Sequence, residues 1–156
     1  MSTINPSTRR IARLLAIAGA LLFPAVAPSA DGPGVPGRDL QRLAAEARTA
    51  DLRGNWQGLS RAHEAVEAMP TAAAGRPWID YYLGYIDWRQ SSLAFMGEGA
   101  SGTIALLRQA AEHLLRALEA VPGFTEARLL LVIVDGGTMV SDPARASELA
   151  PRLTAN

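Results

Sequence analysis

Apolar residues beyond residue 38 recur at intervals of three and four, which is the spacing of one face of an α-helix. No stretch of this region alternates between apolar and polar residues as a half-buried strand does. The pattern therefore predicts an all-α fold with six helices. We predict five of them at about Asp39–Leu52, Trp56–Met69, Pro77–Phe95, Thr103–Val121 and Thr125–Asp135, and a sixth that begins at Asp142.

Capping residues and helix breakers set the ends of these helices. Asp39 can cap the first helix, and Asp142 can cap the sixth, where Pro143 takes the first helical position. Pro70 ends the second helix, and Gly136-Gly137 ends the fifth. The sequence thus predicts three consecutive helix pairs joined by short turns.

The first thirty residues have the layout of a secretory signal peptide. Basic residues up to Arg13 precede an apolar run from Leu14 to Ala27, which is shorter than the ~20 residues of a membrane-spanning helix. Cleavage after Ala27 or after Ala30 is open. We expect a periplasmic or secreted protein that contacts the membrane only transiently, through this segment. The chain divides into a signal peptide at 1–30, a flexible linker at 31–38 and a helical domain at 39–156.

Charge and cysteine content exclude several function classes. All fifteen basic residues are arginine, and three of them lie in the first thirty residues, which hold no acidic residue. The remainder is mildly acidic, whereas nucleic-acid binders usually carry a basic face. The chain has no cysteine, so disulfides, thiolate metal sites and cysteine nucleophiles are excluded.

Residues 117–132, ALEAVPGFTEARLLLV, resemble the junction between two tetratricopeptide repeats. Each 34-residue unit of that family has a small residue, a large apolar residue, another small residue and a proline, in the pattern A-x3-F-x2-A-x4-P. Leu83-Gly84 also matches the Leu-Gly pair of the family's first helix. Two sets of residues follow the pattern: Ala110, Leu114, Ala117 and Pro122, and before them Gly58, Ala62, Ala65 and Pro70.

The spacing departs from the family in one place. Pro70 and Pro122 are 52 residues apart rather than 34, and the excess falls around Gln90–Ile104. The resemblance covers residues 105–132 well and residues 39–156 loosely. It implies a short array of about three antiparallel helix pairs, in which small residues let paired helices approach closely. It also implies that the first helix of each pair lines a peptide-binding groove.

Residues 97–102, GEGASG, have the G-x-G-x-x-G spacing of a dinucleotide-binding loop. Such a loop follows a strand inside a β-α-β unit, whereas this one follows a predicted helix, and Glu98 would repel phosphate. The glycines are better explained as a turn between two long helices, after which Ser101 or Thr103 caps the next helix.

The polar residues of the helices do not form a recognisable catalytic or metal-binding motif. His63 and His113 lie in different helix pairs, and we interpret both as solvated or groove-edge histidines. Asp80 and Asp87 share a helix face at i, i+7, and we interpret them as exposed or N-terminal helix charges. The sequence therefore predicts no enzyme, no cofactor and no metal.

The aromatic residues of the third helix have two possible roles. Eleven residues hold five aromatic rings, which either pack in the core or line part of the inner groove. Tyr and Trp are frequent among residues that dominate binding energy. The candidate partner-binding groove comprises Trp78, Tyr81, Tyr82, Tyr85 and Trp88, with Asp80, Asp87 and Arg89.

These features predict a helical-repeat module that binds a protein or peptide, as a scaffold or adaptor in the bacterial cell envelope. The alternative is a structural accessory subunit of an envelope or transporter assembly. Neither hypothesis involves a nucleic-acid partner. The sixth helix has an apolar stripe that nothing later in the sequence covers. A homodimer through the last helix pair is therefore possible, as is a monomer with a polar outer face. The stripe consists of Ala146, Leu149, Ala150 and Leu153.

Overall fold

The computed structural model describes residues 36–70, 75–97 and 100–155, and every regular element within them is helical. This confirms the predicted all-α class. The predicted signal segment and most of the linker lie outside the described residues. The helices are α1 (Arg38–Leu52), α2 (Trp56–Glu67), α3 (Arg76–Gly97), α4 (Ala100–Ala120), α5 (Thr125–Ser141) and α6 (Ala146–Ala155), with a 3-10 turn at Pro143–Arg145 before α6.

The ends of α1, α5 and α6 differ from the prediction, and α2 has a cap that was not predicted. Gly37, not Asp39, precedes α1, and Asn55 caps α2 by accepting a hydrogen bond from the Gly58 amide at 3.0 Å. Asp142 makes no side-chain cap, because a 3-10 turn separates it from α6. Helix α5 continues through Gly136-Gly137 to Ser141, so the predicted stop there was wrong. Packing of the helix overrides the weak helix propensity of glycine.

The connection between α3 and α4 is short. Helix α3 ends at Gly97 and α4 begins at Ala100, which agrees with a chain reversal within GEGASG. Glu98 lies outside the described residues. Thr103 lies inside α4 and is buried, so the predicted cap at this residue was wrong.

Helix α3 lies at the centre of the fold and contacts α1, α2, α4 and α5. Its contacts with α4 show two helices of opposite direction: Thr103 meets Ser91, whereas Arg116 meets Asp80. Between these points Gly84 lies so close to α4 that a Cβ atom would come within 2.9 Å of Leu114 Cγ. The absence of a side chain at Gly84 thus permits the close approach of paired helices that the repeat pattern implies.

The hydrophobic core is continuous from α1 to α5. The second and third helices contribute Leu59, Ile79 and Ile86, and Phe124 fills the space before α5. The core also contains three residues of the register assigned from the sequence, Ala110, Leu114 and Ala117, all fully buried.

The last helix packs on α5. Leu149 is buried, so the expectation that it belongs to an uncovered apolar stripe was wrong, because the turn at Pro143–Arg145 brings α6 back onto α5. Ala150 is exposed, and the side chain of Leu153 lies outside the described part of the chain. A homodimer through this helix pair stays a prediction.

Candidate functional site

Three residues of the predicted aromatic groove lie in the hydrophobic core. Tyr81, Tyr85 and Trp88 are buried, whereas Trp78 and Tyr82 are partly buried and stack on each other with ring centroids 6.0 Å apart. Most of this aromatic surface therefore stabilises the fold rather than facing solvent.

The aromatic face of α3, which we define as Tyr81, Tyr85 and Trp88, packs toward the beginning of α5 and the end of α1. The Tyr81 ring lies 5.3 Å from the ring of Phe124, just before α5. Burial raises the pKa of Tyr81 above its usual value and raises the pKa of Tyr85 to about 12. Both phenols are therefore neutral at physiological pH, as packing in a core requires.

Arg89 links α3 to α1 beside this face. Its Nε donates to Asp51 Oδ1 at 2.7 Å, and both side chains are largely buried. The guanidinium also lies over the Trp88 ring, 4.7 Å from its centroid. The ion pair and the cation–π contact together fix the end of α1 against α3.

An apolar cleft of about 240 Å³ lies next to this link. Residues of α1, α3 and α5 line it, together with the first turns of α4. Two of its apolar side chains are well exposed, Met96 at 68% and Val140 at 47%. Trp88 and Arg89, two of the eight residues in the predicted groove, also line this cleft.

Asp80 and Asp87 lie on the opposite face of α3, and each is only 2% exposed. The expectation that they are exposed or N-terminal helix charges was wrong, because α2 and α4 cover this face. Arg76 forms two hydrogen bonds to Asp80, at 2.8 and 3.1 Å, and Arg116 of α4 adds a third at 3.3 Å. Asp80 is thus a buried carboxylate held by two arginines.

Asp87 has two histidines as its nearest titratable neighbours. His63 Nε2 of α2 lies 3.2 Å from Asp87 Oδ1, and His113 Nε2 of α4 lies 3.7 Å from Asp87 Oδ2. The two imidazole rings meet edge to face with centroids 6.2 Å apart. We call His63, Asp87 and His113 the histidine–aspartate cluster. Two histidines that the sequence assigned to separate helix pairs therefore share one carboxylate.

The Oδ2 atom of Asp87 is buried and has no hydrogen-bond partner among the described residues. The contact with His113 is too long for a hydrogen bond. Buried carboxylate oxygens are nearly always paired, because an unpaired one keeps the full cost of losing its hydration. This atom therefore marks the cluster as unusual within the fold.

The pKa values of the two histidines are shifted in opposite directions. The hydrogen bond with Asp87 raises the pKa of His63 above its usual value, although burial opposes this shift. Burial lowers the pKa of His113, and the positive charge of Arg116 lowers it further. Arg116 Nη2 lies 2.6 Å from His113 Nδ1 and donates to it, which needs an unprotonated Nδ1. The contact with Arg116 and the lowered pKa therefore both favour a neutral His113 imidazole.

A polar cleft of about 290 Å³ opens beside the cluster. Ser60, Glu64 and Glu67 of α2 line it, together with Gln90 of α3 and Gln109 of α4. The cluster offers three donor atoms, one from each side chain, within 4.8 Å of one another. Two imidazole nitrogens and one carboxylate oxygen form a donor set that transition-metal ions accept.

Periodicity along the sequence does not reveal this cluster, because its residues lie on three helices. One signal was present in the register. Ala62 and Leu114 occupy equivalent positions of the repeat pattern in α2 and α4. His63 directly follows Ala62, and His113 directly precedes Leu114. The two histidines therefore lie on flanks of α2 and α4 that can face each other across α3, where Asp87 lies.

None of the helices that the structure describes combines the length and the apolar character needed to cross a membrane. Comparison of the chain with protein-family models, with curated proteins and with solved structures finds no match.

Proposed function

We propose that this protein is an exported helical-repeat module that binds an extended apolar segment of a partner protein in the cleft between α1, α3 and α5. It acts as a scaffold or adaptor in the cell envelope and not as an enzyme. The observation that carries the proposal is the 240 Å³ apolar cleft with Met96 and Val140 exposed at its edge.

The position of the cleft supports this function. Helices α1, α3 and α5 are the first helices of the three pairs, and the resemblance to tetratricopeptide repeats implies that such helices line the peptide groove. At about 240 Å³ the cleft is smaller than the pockets of roughly 300–1,000 Å³ that hold whole small-molecule ligands, so it suits a few apolar side chains of a bound segment better. Exposed apolar side chains around a preformed cleft favour burial by a partner.

The walls of the cleft favour an apolar ligand with few charges. Leu93, Phe95 and Ile133 contribute apolar surface, and the ionic groups on the wall, Asp51 and Arg89, already neutralise each other. A charged segment would meet no free counter-charge at this ion pair. An extended segment with two apolar anchors suits these walls better.

Site-specific photocrosslinking in cells tests this proposal. A photoreactive phenylalanine analogue at Val140 should yield a covalent adduct with one partner, which mass spectrometry identifies. The matched control is the same analogue at Leu129, which is also on α5 and 50% exposed but is not among the residues lining the cleft. We expect an adduct from position 140 and none from position 129.

Other adduct patterns would contradict the proposal. Equal adducts from Val140, Leu129 and the exposed Leu115 of α4 would indicate a broad interface, as expected for a structural accessory subunit. The absence of an adduct from both Val140 and Met96 would exclude the cleft as a binding site.

Export is the second part of the proposal and rests on the order of basic, apolar and small residues at positions 1–30. Protein recovered from the periplasm or medium should begin near Asp31, with a mass that lacks this segment. Intact-mass measurement decides this, and a full-length product in the cytoplasm would contradict export.

A further inference from the structure

We propose that the histidine–aspartate cluster binds a divalent transition-metal ion of the Zn²⁺ class, through His63 Nε2, His113 Nε2 and the carboxylate of Asp87. The site is separate from the apolar cleft, because it lies on the other face of α3, between α2 and α4. Metal binding at this site does not depend on the proposed partner-binding function.

The distances within the cluster are close to those between ligands of one ion. Ligands at about 2.0–2.1 Å from a tetrahedral Zn²⁺ are about 3.3 Å apart. His63 Nε2 lies 3.2 Å from Asp87 Oδ1 and His113 Nε2 lies 3.7 Å from Asp87 Oδ2, and one donor atom from each of the three residues lies within 4.8 Å of the others. Small rotations of the two imidazole rings would bring all three donors to one ion.

The unpaired Asp87 Oδ2 is the second, independent observation. This oxygen is buried and faces His113 Nε2 without a hydrogen bond. A cation between Asp87 and His113 would satisfy both atoms at once. It would also neutralise a carboxylate whose ion-pair partners among the described residues are the two histidines, whereas Asp80 has two arginines.

The outer nitrogens of both histidines face further carboxylates. His113 Nδ1 lies 3.5 Å from Asp80 Oδ1, and His63 Nδ1 lies 4.0 Å from Glu67 Oε2. Metal-bound histidines usually donate their other ring N–H to a carboxylate or carbonyl, which fixes the tautomer that leaves Nε2 free for the metal. Asp80 and Glu67 are placed to be these acceptors.

Arg116 is the group that must change its contacts. It now donates to His113 Nδ1 at 2.6 Å, and this nitrogen would carry the proton once Nε2 binds the ion. Arg116 is about half exposed and also binds Asp80 through Nε. Its Nη2 group can therefore turn to solvent while its contact with Asp80 is kept.

The donor set selects the class of ion. Two imidazoles with one carboxylate suit Zn²⁺ and its neighbours in the first transition series, whereas Mg²⁺ and Ca²⁺ prefer oxygen ligands alone. Three protein ligands leave a coordination position for water, and the adjoining polar cleft supplies the space.

The composition of the chain makes a sharp test possible. The sequence contains two histidines and no cysteine, so every imidazole of the protein belongs to the cluster. Untagged protein, produced from the full-length gene and freed of metal, is titrated with Zn²⁺ in a calorimeter. We expect one saturable site per chain, and no comparable site for Mg²⁺ or Ca²⁺.

Nuclear magnetic resonance of the histidine rings gives a readout that needs no variant. One equivalent of Zn²⁺ should shift the signals of both rings, in the pattern of Nε2 coordination. Co²⁺ should give visible absorption of a four- or five-coordinate site. A response from one ring only, or from neither, would overturn the proposal.

Variants then assign the ligands. His63→Gln, His113→Gln and Asp87→Asn should each weaken Zn²⁺ binding by more than about 100-fold, and Asp80→Asn by about 10- to 100-fold, through the orientation of His113. Glu112→Gln is the matched control, since it removes an exposed acid next to His113 and should leave affinity unchanged.

Two further results would overturn the proposal. One is the absence of saturable Zn²⁺ binding to the wild type below about 100 µM, a Kd that corresponds to weak, nonspecific association. The other is unchanged affinity in the His63→Gln/His113→Gln double variant. Circular dichroism tests whether each variant is folded. If a variant does not fold, the wild-type titration and the ring signals of the wild type still test whether the cluster binds Zn²⁺.

Discussion

The two faces of helix α3 stabilise the fold in opposite ways. The aromatic face, Tyr81, Tyr85 and Trp88, contributes large rings that α1 and α5 cover. The other face carries Asp80 and Asp87, two carboxylates that are as deeply buried as the rings. One helix therefore combines apolar burial on one side with buried charge on the other, with Gly84 between the two carboxylates.

The comparison continues within the carboxylate face itself. Asp80 has three hydrogen bonds from two arginines, so its charge is compensated in the folded protein. Asp87 depends on two imidazoles, and its Oδ2 atom has no hydrogen-bond partner within the part of the chain that the structure describes. Asp80 is therefore a carboxylate that stabilises the fold, whereas Asp87 is the one that we propose binds a ligand.

The largest effect should come from the aromatic face. Trp88→Ala should lower the free energy of unfolding by about 3–5 kcal/mol, because it leaves a cavity beside α1. Trp56→Ala is the control, since Trp56 is 42% exposed and should cost less than about 1 kcal/mol. Urea denaturation measures both, and equal losses would mean that Trp88 is not a core residue.

On the carboxylate face, Asp80→Asn should cost about 2–3 kcal/mol, because it leaves the guanidinium groups of Arg76 and Arg116 without their shared charge. Glu46→Gln breaks the exposed pair with Arg42 and should cost less than about 0.5 kcal/mol. Metal-free Asp87→Asn should cost less than Asp80→Asn. The reverse order in thermal melts would refute the distinction between the two carboxylates.

Gly84 tests the close approach between α3 and α4. Gly84→Ala should destabilise the protein by about 1–2 kcal/mol, since the added Cβ would lie 2.9 Å from Leu114 Cγ and 3.0 Å from the Ala110 carbonyl oxygen. Gly136→Ala in α5 meets nothing within 4 Å and should stabilise by about 0.5–1 kcal/mol. Effects of the same sign would argue against this packing.

The smallest effect is expected at the link between α1 and α3. Arg89→Lys keeps the charge but loses the planar contact with Trp88 and the geometry of the Asp51 pair, at a cost of about 0.5–1 kcal/mol. Arg145→Lys changes the exposed pair with Glu148 and should be close to neutral. A double-mutant cycle with Asp51→Asn measures the coupling, and a value near zero would show that the pair does not hold α1.

Much of the fold was predictable because the helices carry clear periodicity. Four of the five fully specified helices were placed within about three residues at each end, and the small residues Ala110 and Ala117 were assigned to close contacts, where the structure buries them. The error in α5 arose because glycine is common just after the end of a helix, whereas α5 continues through this pair, and a Cβ atom at Gly137 would meet Leu107 at an ordinary contact distance.

The histidine–aspartate cluster could not be predicted in the same way. Periodicity shows which residues share one helix face, and it placed Asp80 with Asp87 correctly. It does not show which flanks of α2 and α4 meet across α3, because that depends on how the helices pack. Burial of both carboxylates follows from the same packing, so the charges were misread as exposed.

The short connection between α3 and α4 has a consequence for the order of folding. Joining two helices across two residues costs little chain entropy, and contacts between sequence neighbours form fast. The cluster instead joins His63 to His113, fifty residues later, and is complete only when α2 reaches the α3–α4 pair. We therefore expect Gly84→Ala to slow refolding and His63→Gln mainly to speed unfolding. Stopped-flow kinetics would distinguish the two, and a slowed refolding of His63→Gln would place the meeting of the three helices in the rate-limiting step.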